Sequence, residues 1–167
     1  SRRLRQSWGL GFPFFLVNPE LSNLMGVAGA AIKGGLAMQV QDFGRMDAPI
    51  TLFGGPYSNL AALEAMAEVI GDGPAICTGD IIAYGAEPMA CISLMRALNV
   101  PTVAGNCELQ IAGGAETCGC GFEAGSTCDA LSRGWYPFAR AACDADAVGW
   151  LSRLPKIGIF EHGARRY

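Results

Sequence analysis

The chain has 167 residues, of which 51% are apolar and 16% charged, with a formal net charge of −3. A chain this apolar can bury a core, so wholesale disorder is excluded, and one ordinary domain or part of a larger one is expected. The acidic balance argues against a basic nucleic-acid-binding module and gives no attraction to an acidic membrane. Seven cysteines are too few for a disulfide scaffold and odd in number, which points to a reducing, cytoplasmic setting with a local thiol or metal site.

Residues 1–46 carry five basic side chains against two acidic ones, and residues 47–167 seven against thirteen. The apolar run Leu10–Val17 follows three arginines like the core of a targeting segment, but it has about half the length a membrane span needs. Three readings of residues 1–46 stay open. They are a targeting segment, a structural extension, or sequence outside the native domain with translation starting at Met38 or Met46.

Regular structure is expected from about residue 48. Pro49-Ile-Thr-Leu-Phe53 reads as a buried strand closed by the turn Gly54-Gly-Pro56. Ser58 or Asn59 can cap a helix in which Leu60, Leu63, Ala67 and Ile70 share one face, and Gly71-Asp-Gly-Pro74 stops it. Ala75-Ile-Cys-Thr78 is a second buried strand, ending at Gly79-Asp80. Pro88 suits a first helical turn, Cys91, Leu94, Met95 and Leu98 line the next helix, and Asn99 ends it. Val100-Pro-Thr-Val-Ala104 is read as a third strand, ending at Gly105-Asn-Cys-Glu108. This β-α-β-α-β order over about residues 48–108 predicts an α/β fold with a parallel sheet. In such sheets functional groups gather at the carboxyl ends of the strands, here Gly54–Asn59, Gly79–Gly85 and Gly105–Glu108.

Farther on, Gly134-Trp-Tyr-Pro-Phe138 is read as an aromatic plug, with a base-stacking role as the alternative. Asp144 caps a last helix with Val148, Leu151 and Leu154 inward. The single histidine, His162, sits with Gly163 at a hairpin turn and is read as a turn residue rather than a ligand. Cys107, Cys118, Cys120 and Cys128 fall within 22 residues. They lack the spacing of a zinc ribbon, so plain buried or loop thiols, a soft-metal site and a redox switch all stay open. Cys77, Cys91 and Cys143 read as small core residues.

Three strand-end motifs carry a resemblance. Asn59-Leu-x-Ala-Leu63, then Gly79-Asp80-x-x-x-Tyr84-Gly85, then Val103-Ala-Gly-Asn106-x-Glu108 resemble the calcineurin-like metallophosphoesterase superfamily. The nearest group within it is the small bacterial phosphoesterases related to diadenosine tetraphosphatases. The resemblance is strong over residues 48–110, loose over 111–167 and absent from 1–46. It implies a partial four-layer αββα sandwich, with residues 47–167 as the N-terminal part of the domain and the family's later metal histidines beyond Tyr167.

The resemblance also implies a site. In the family two metal ions about 4 Å apart clamp a phosphate and activate a hydroxide. Asp80 would bridge the metals, Asn106 would bind one metal and the phosphate, and Cys107 stands where the family has a catalytic histidine. Tyr57, Asn59 and Tyr84 are the candidate substrate contacts. The first-motif aspartate and histidine are replaced by Gly55 and Tyr57, so one metal position loses its dedicated ligands, and Tyr57 enters as a phenolate ligand, a phosphate contact or a ring capping the loop.

The expected function is therefore metal-dependent hydrolysis of a phosphomonoester or phosphodiester, with Mn, Fe or Zn as cofactor and a phosphorylated small molecule or nucleotide as partner. The alternatives are an inactive pseudo-phosphatase that binds a phosphorylated ligand or a protein, and a cysteine-based metal or redox sensor built on Cys107, Cys118, Cys120 and Cys128. Homo-oligomerisation is left open. Glu108 is read as a surface or helix-cap acid.

Overall fold

The computed structural model describes residues 39–167. In chain order the elements are β1 (Val40–Arg45), β2 (Thr51–Phe53), α1 (Leu60–Ile70), β3 (Ala75–Cys77), α2 (Pro88–Leu98), α3 (Asn106–Ala112), α4 (Thr127–Ala142), α5 (Ala145–Leu151), β4 (Ile157–His162) and β5 (Arg165–Arg166).

The expected β-α-β-α unit is present. β2 and β3 run parallel, with Thr51 opposite Ala75 and Phe53 opposite Cys77. Between them α1 buries Leu63 and Ile70 and leaves Glu64 and Glu68 in water, as the 3.6-residue spacing requires. Asn59 caps α1 by accepting from the Ala62 N–H at 3.0 Å, and the Gly71 N–H closes the far end on the Ala67 carbonyl. α2 buries Cys91, Ile92 and Met95, with Pro88 at its start and Asn99 in the left-handed conformation at its end.

The third strand is shorter than expected. It is a single parallel bridge of Thr102 to Cys77, made by Cys77 N–H to the Pro101 carbonyl and Val103 N–H to the Cys77 carbonyl. Pro101 has no N–H to give, and the Thr102 hydroxyl donates to the Val100 carbonyl at 2.7 Å, so the segment lacks the groups for a longer ladder.

Three elements were not anticipated, the short helix α3 directly after the third strand among them. β1 lies before the expected start of regular structure and pairs parallel with β4, Val40 facing Ile157. α4 runs through the whole Gly134–Phe138 segment with Pro137 inside it. Proline in a helix interior normally argues against a helix, which hid this one. Its Ser126 cap and the burial of Trp135, Tyr136 and Ala139 hold it in place. β4 turns at Gly163 and pairs antiparallel with β5, the hairpin expected there. His162 is tied off by its Nδ1 against the Met46 carbonyl at 2.7 Å.

The core joins Leu63, Ile70, Cys77, Ile81, Ile82, Cys91, Ile92, Met95, Ile111, Tyr136 and Leu151. Among the described residues no helix is long and apolar enough to cross a membrane.

Because Asn59 spends its side-chain oxygen on the α1 cap, Asn59→Ala should cost about 1 kcal/mol of stability. This is measured as a lower urea midpoint with an unchanged slope. Asn59→Asp, which keeps the acceptor, should restore most of the loss.

Candidate functional site

The three strand-end segments converge, and backbone hydrogen bonds stitch them together. Gly55, Tyr57 and Ser58 donate their N–H groups to the carbonyls of Gly79, Asp80 and Ile81 at 3.0, 3.2 and 2.8 Å. Ser58 is fully buried, and its hydroxyl oxygen accepts from the Ala83 N–H. The second segment is joined to the third by Glu108. Its Oε2 accepts from the N–H of Asp80 at 2.9 Å and of Gly105 at 2.8 Å, and its Oε1 accepts from Ile82 at 3.0 Å.

Glu108 is thus not the surface acid that the sequence left open. It is 0% exposed, and it is a helix-cap acid, three residues after the Gly105 cap of α3. The signal was available: a cap followed three residues later by glutamate is the pattern in which the acid reaches back to the cap's own N–H. What the pattern does not announce is the reach across to Asp80 and Ile82.

Asp80 stands at the tip of β3 with φ +55°, in the left-handed region that aspartate tolerates better than most residues. Its Oδ1 is buried and has no hydrogen-bond partner. The oxygen lies over Gly105, where an added Cβ would come within 2.0 Å of it, so only glycine allows this approach. Burial pushes the Asp80 carboxyl above its ordinary range, and the N–H groups of Asn106 and Cys107 at the start of α3 oppose that rise.

Asn106 is beside it. Its Nδ2 donates to the Cys118 carbonyl at 3.0 Å and to Cys120 Sγ at 3.2 Å, with Cys107 Sγ at 3.6 Å. Cys107 and Cys118 are buried, Cys120 is partly exposed, and all seven cysteines are free thiols. Burial, followed by the charges of Glu108 and Asp80, pushes the Cys107 thiol far up, and burial lifts Cys120 to about 11. The thiol form of each therefore predominates at neutral pH over a small thiolate fraction. Cys128 is exposed in the first turn of α4, and no hydrogen bond links it to the other three.

The opposite side is aromatic. Tyr57 and Tyr84, both at positive φ, lie 5.2 Å apart between ring centroids, and Tyr84 meets Trp135 edge-on at 4.9 Å. Tyr57 is 41% and Tyr84 55% exposed. Burial first, then Asp80 and Cys107, raises the Tyr57 phenol above its ordinary value. Tyr84 is raised by burial and by Cys120 and Cys107. Burial therefore favours the neutral phenol at Tyr57. Its ring also covers Gly55: an added Cβ there would meet ring carbons at 2.5 Å.

The structure brings together Asp80, Asn106, Cys107, Cys118, Cys120, Tyr57 and Tyr84. It leaves out Cys128 and commits Asn59 to its cap.

One solved structure shares the fold. Over 75% of this chain and 50% of the other, the described fold superposes on the crystal structure of a diadenosine tetraphosphatase-like protein, with a TM-score of 0.53 and 19% identity. The chain shares the α/β fold of that protein. A metallophosphoesterase from Sphaerobacter thermophilus matches 64% of the chain and 41% of its own length at 26% identity and a TM-score of 0.47. An uncharacterized protein of Methanocaldococcus jannaschii is 42% identical over 60 residues, 34% of this chain and 25% of that protein. The chain thus spans half or less of each of these proteins. No protein-family model matches it.

Metallophosphoesterases of this fold imply divalent metal ions. The donors present do not fit a two-metal centre. Gly55 carries no donor side chain and Tyr57 only a phenol, and among the described residues no group of three or more His, Cys, Asp or Glu side chains is placed to hold a metal. What the site does offer a cation is one orphaned carboxylate oxygen, Asp80 Oδ1.

Glu108 gives the next prediction. Glutamine keeps its shape but presents an NH2 group to one of the N–H donors, so Glu108→Gln should cost about 1–3 kcal/mol. Burial raises the Glu108 carboxyl above its ordinary value of 4.5 against the opposing pull of its N–H donors. The folded state then keeps its proton where the unfolded chain has lost it. The contribution of this group is complete below the ordinary carboxyl pKa and declines as pH rises through the folded value. Urea midpoints across acid to neutral pH should show that decline in the parent protein and a flatter profile in Glu108→Gln.

Proposed function

We propose that this chain belongs to a phosphoesterase-like protein that hydrolyses a phosphomonoester or phosphodiester of a small molecule, a nucleotide included, with Asp80 as its essential acid. One observation carries the reading. At the carboxyl end of the parallel sheet, where such folds place their chemistry, a buried aspartate oxygen has no partner. Buried carboxylate oxygens left unpaired are costly, and a bound cation removes that cost. The shared fold supports the same reading.

When bound, a divalent ion would supply positive charge to a phosphoryl oxygen. Asp80 would hold it through Oδ1. Asn106, whose Nδ2 is engaged by the cysteine segment, would be a second ligand through its side-chain oxygen. Tyr57 and Tyr84, protonated and partly exposed, can donate hydrogen bonds to phosphate oxygens. Glu108 fixes the Asp80 backbone, so the carboxylate need not be ordered when ligand arrives.

A second reading, a non-catalytic phospholigand-binding protein, is favoured by the Tyr57 ring over Gly55, which occupies the space of a first-motif ligand. Metal analysis of the purified protein and hydrolysis of a chromogenic phosphoester, each with Asp80→Asn, separate the two. Bound Mn, Fe or Zn together with turnover, both lost in Asp80→Asn at a retained urea midpoint, is the expected result. Metal and ligand binding without turnover would leave the binding reading. Metal-free protein indifferent to Asp80→Asn would end both.

A further inference from the structure

We propose that Cys120 and Cys107 form a reversible disulfide that ties the Cys118–Phe122 segment to the first turn of α3. This does not depend on the phosphoesterase reading. Both sulfurs already meet one atom, Asn106 Nδ2, which lies 3.2 Å from Cys120 Sγ and 3.6 Å from Cys107 Sγ. A disulfide needs the two Cα atoms within about 4.4–6.8 Å, and the segment carrying Cys120 is built to adjust. Gly119 and Gly121 flank it at φ +66° and +65°, and nothing lies within 4 Å of the Cβ position at Gly121.

Exposure sets the order of events. Cys107 and Cys118 are 3% and 5% exposed, whereas Cys120 is partly open to solvent and is the one of these three sulfurs that an oxidant reaches. Cys118 is the competing partner, but a bond across the single residue Gly119 closes a ring too short for relaxed disulfide geometry. Cys128 stands apart on α4.

The chemistry is thiol–disulfide exchange with a low-molecular-weight disulfide. The Cys120 sulfur gives up its proton and attacks one sulfur of the reagent, forming a mixed disulfide and releasing one small thiol. The Cys107 sulfur, deprotonated in turn, attacks Cys120 Sγ and expels the second. Two protein thiols are oxidised to one disulfide, and the reagent is reduced to two thiols. The bond fixes the segment beside Asn106, and added dithiol reverses it.

The test is incubation of the folded chain with oxidised glutathione, thiol counting, and cleavage after glutamate. The Glu87–Pro88 bond resists this cleavage, so glutamates 68, 108, 116 and 123 place Cys107 in peptide 69–108, together with Cys77 and Cys91, and Cys118 and Cys120 in peptide 117–123, and fragmentation of the linked pair assigns the bonded sulfurs. Apart from glutathione taken up by the exposed Cys128, expected are the loss of two of the seven free thiols and a cross-link between those peptides through Cys107 and Cys120, lost on reduction. Cys118→Ser should keep the cross-link, and Cys107→Ser should leave glutathione on Cys120. Should Cys107→Ser fail to fold, the more exposed Cys120→Ser replaces it and should show no loss of thiols beyond Cys128. Peptide 117–123 lighter by two hydrogens but unlinked would overturn the pairing, as would a cross-link through Cys118. So would seven thiols that stay free in the folded chain yet react once it is denatured.

Discussion

A buried carboxylate with no cation beside it is ordinarily a liability, because the loss of hydration is not returned by a partner charge. Glu108 is such a group, and it is tolerable because three backbone N–H donors converge on its two oxygens. The dependence runs both ways. Without the carboxylate, three buried donors would be orphaned at about 1–3 kcal/mol each. The N–H groups of Asp80 and Ile82 point to Glu108, while the carbonyls of Asp80 and Ile81 accept from Tyr57 and Ser58. The second strand end is therefore gripped from both sides, and the first is held only through it. The left-handed Asp80 backbone persists because its neighbours leave it no other arrangement.

The elements that were legible in the sequence are those whose local signals agree with their tertiary role. α1 and α2 combine a 3.6-residue apolar spacing with recognisable ends at Asn59, Gly71, Pro88 and Asn99. β3 is a short apolar run, buried at all three residues. Where local and tertiary signals conflict, reading fails. Pro137 masks α4, whose burial of Trp135 and Tyr136 outweighs the lost N–H. β1 is mostly exposed, so it carries no strand-like alternation and exists because β4 pairs with it. The third strand shows the reverse case, a favourable apolar run cut to one bridge by Pro101 and by the competing Thr102 hydroxyl.

The site was legible in part for the same reason. Asp80 and Asn106 each follow a glycine at a strand end, a pattern visible in one dimension. The meeting of Asn106 with Cys118 and Cys120 was not visible, because a glycine-rich segment has no periodicity from which its path can be read. The buried Ser58 hydroxyl, which accepts from Ala83, was equally hidden. From the sequence it competes with Asn59 for the helix cap, and only the pairing of the two segments decides between them.

The charges around Asp80 bear on both functional readings. Its surroundings are thiols and phenols that burial keeps protonated, with the Glu108 carboxyl behind it. No lysine or arginine figures among the groups that shift its carboxyl. A phosphate brought to an ionised Asp80 in these surroundings meets like charge at short range, which disfavours the charged forms of both. A hydrolase needs a cation there to polarise the phosphoryl group, but a protein that merely binds a phosphoester needs one too, to reconcile two anions. Replacing the first-motif ligands with Gly55 and Tyr57 thus weakens the case for a second metal without weakening the case for a first. The cation at Asp80 is the feature the two readings share, and turnover is what divides them.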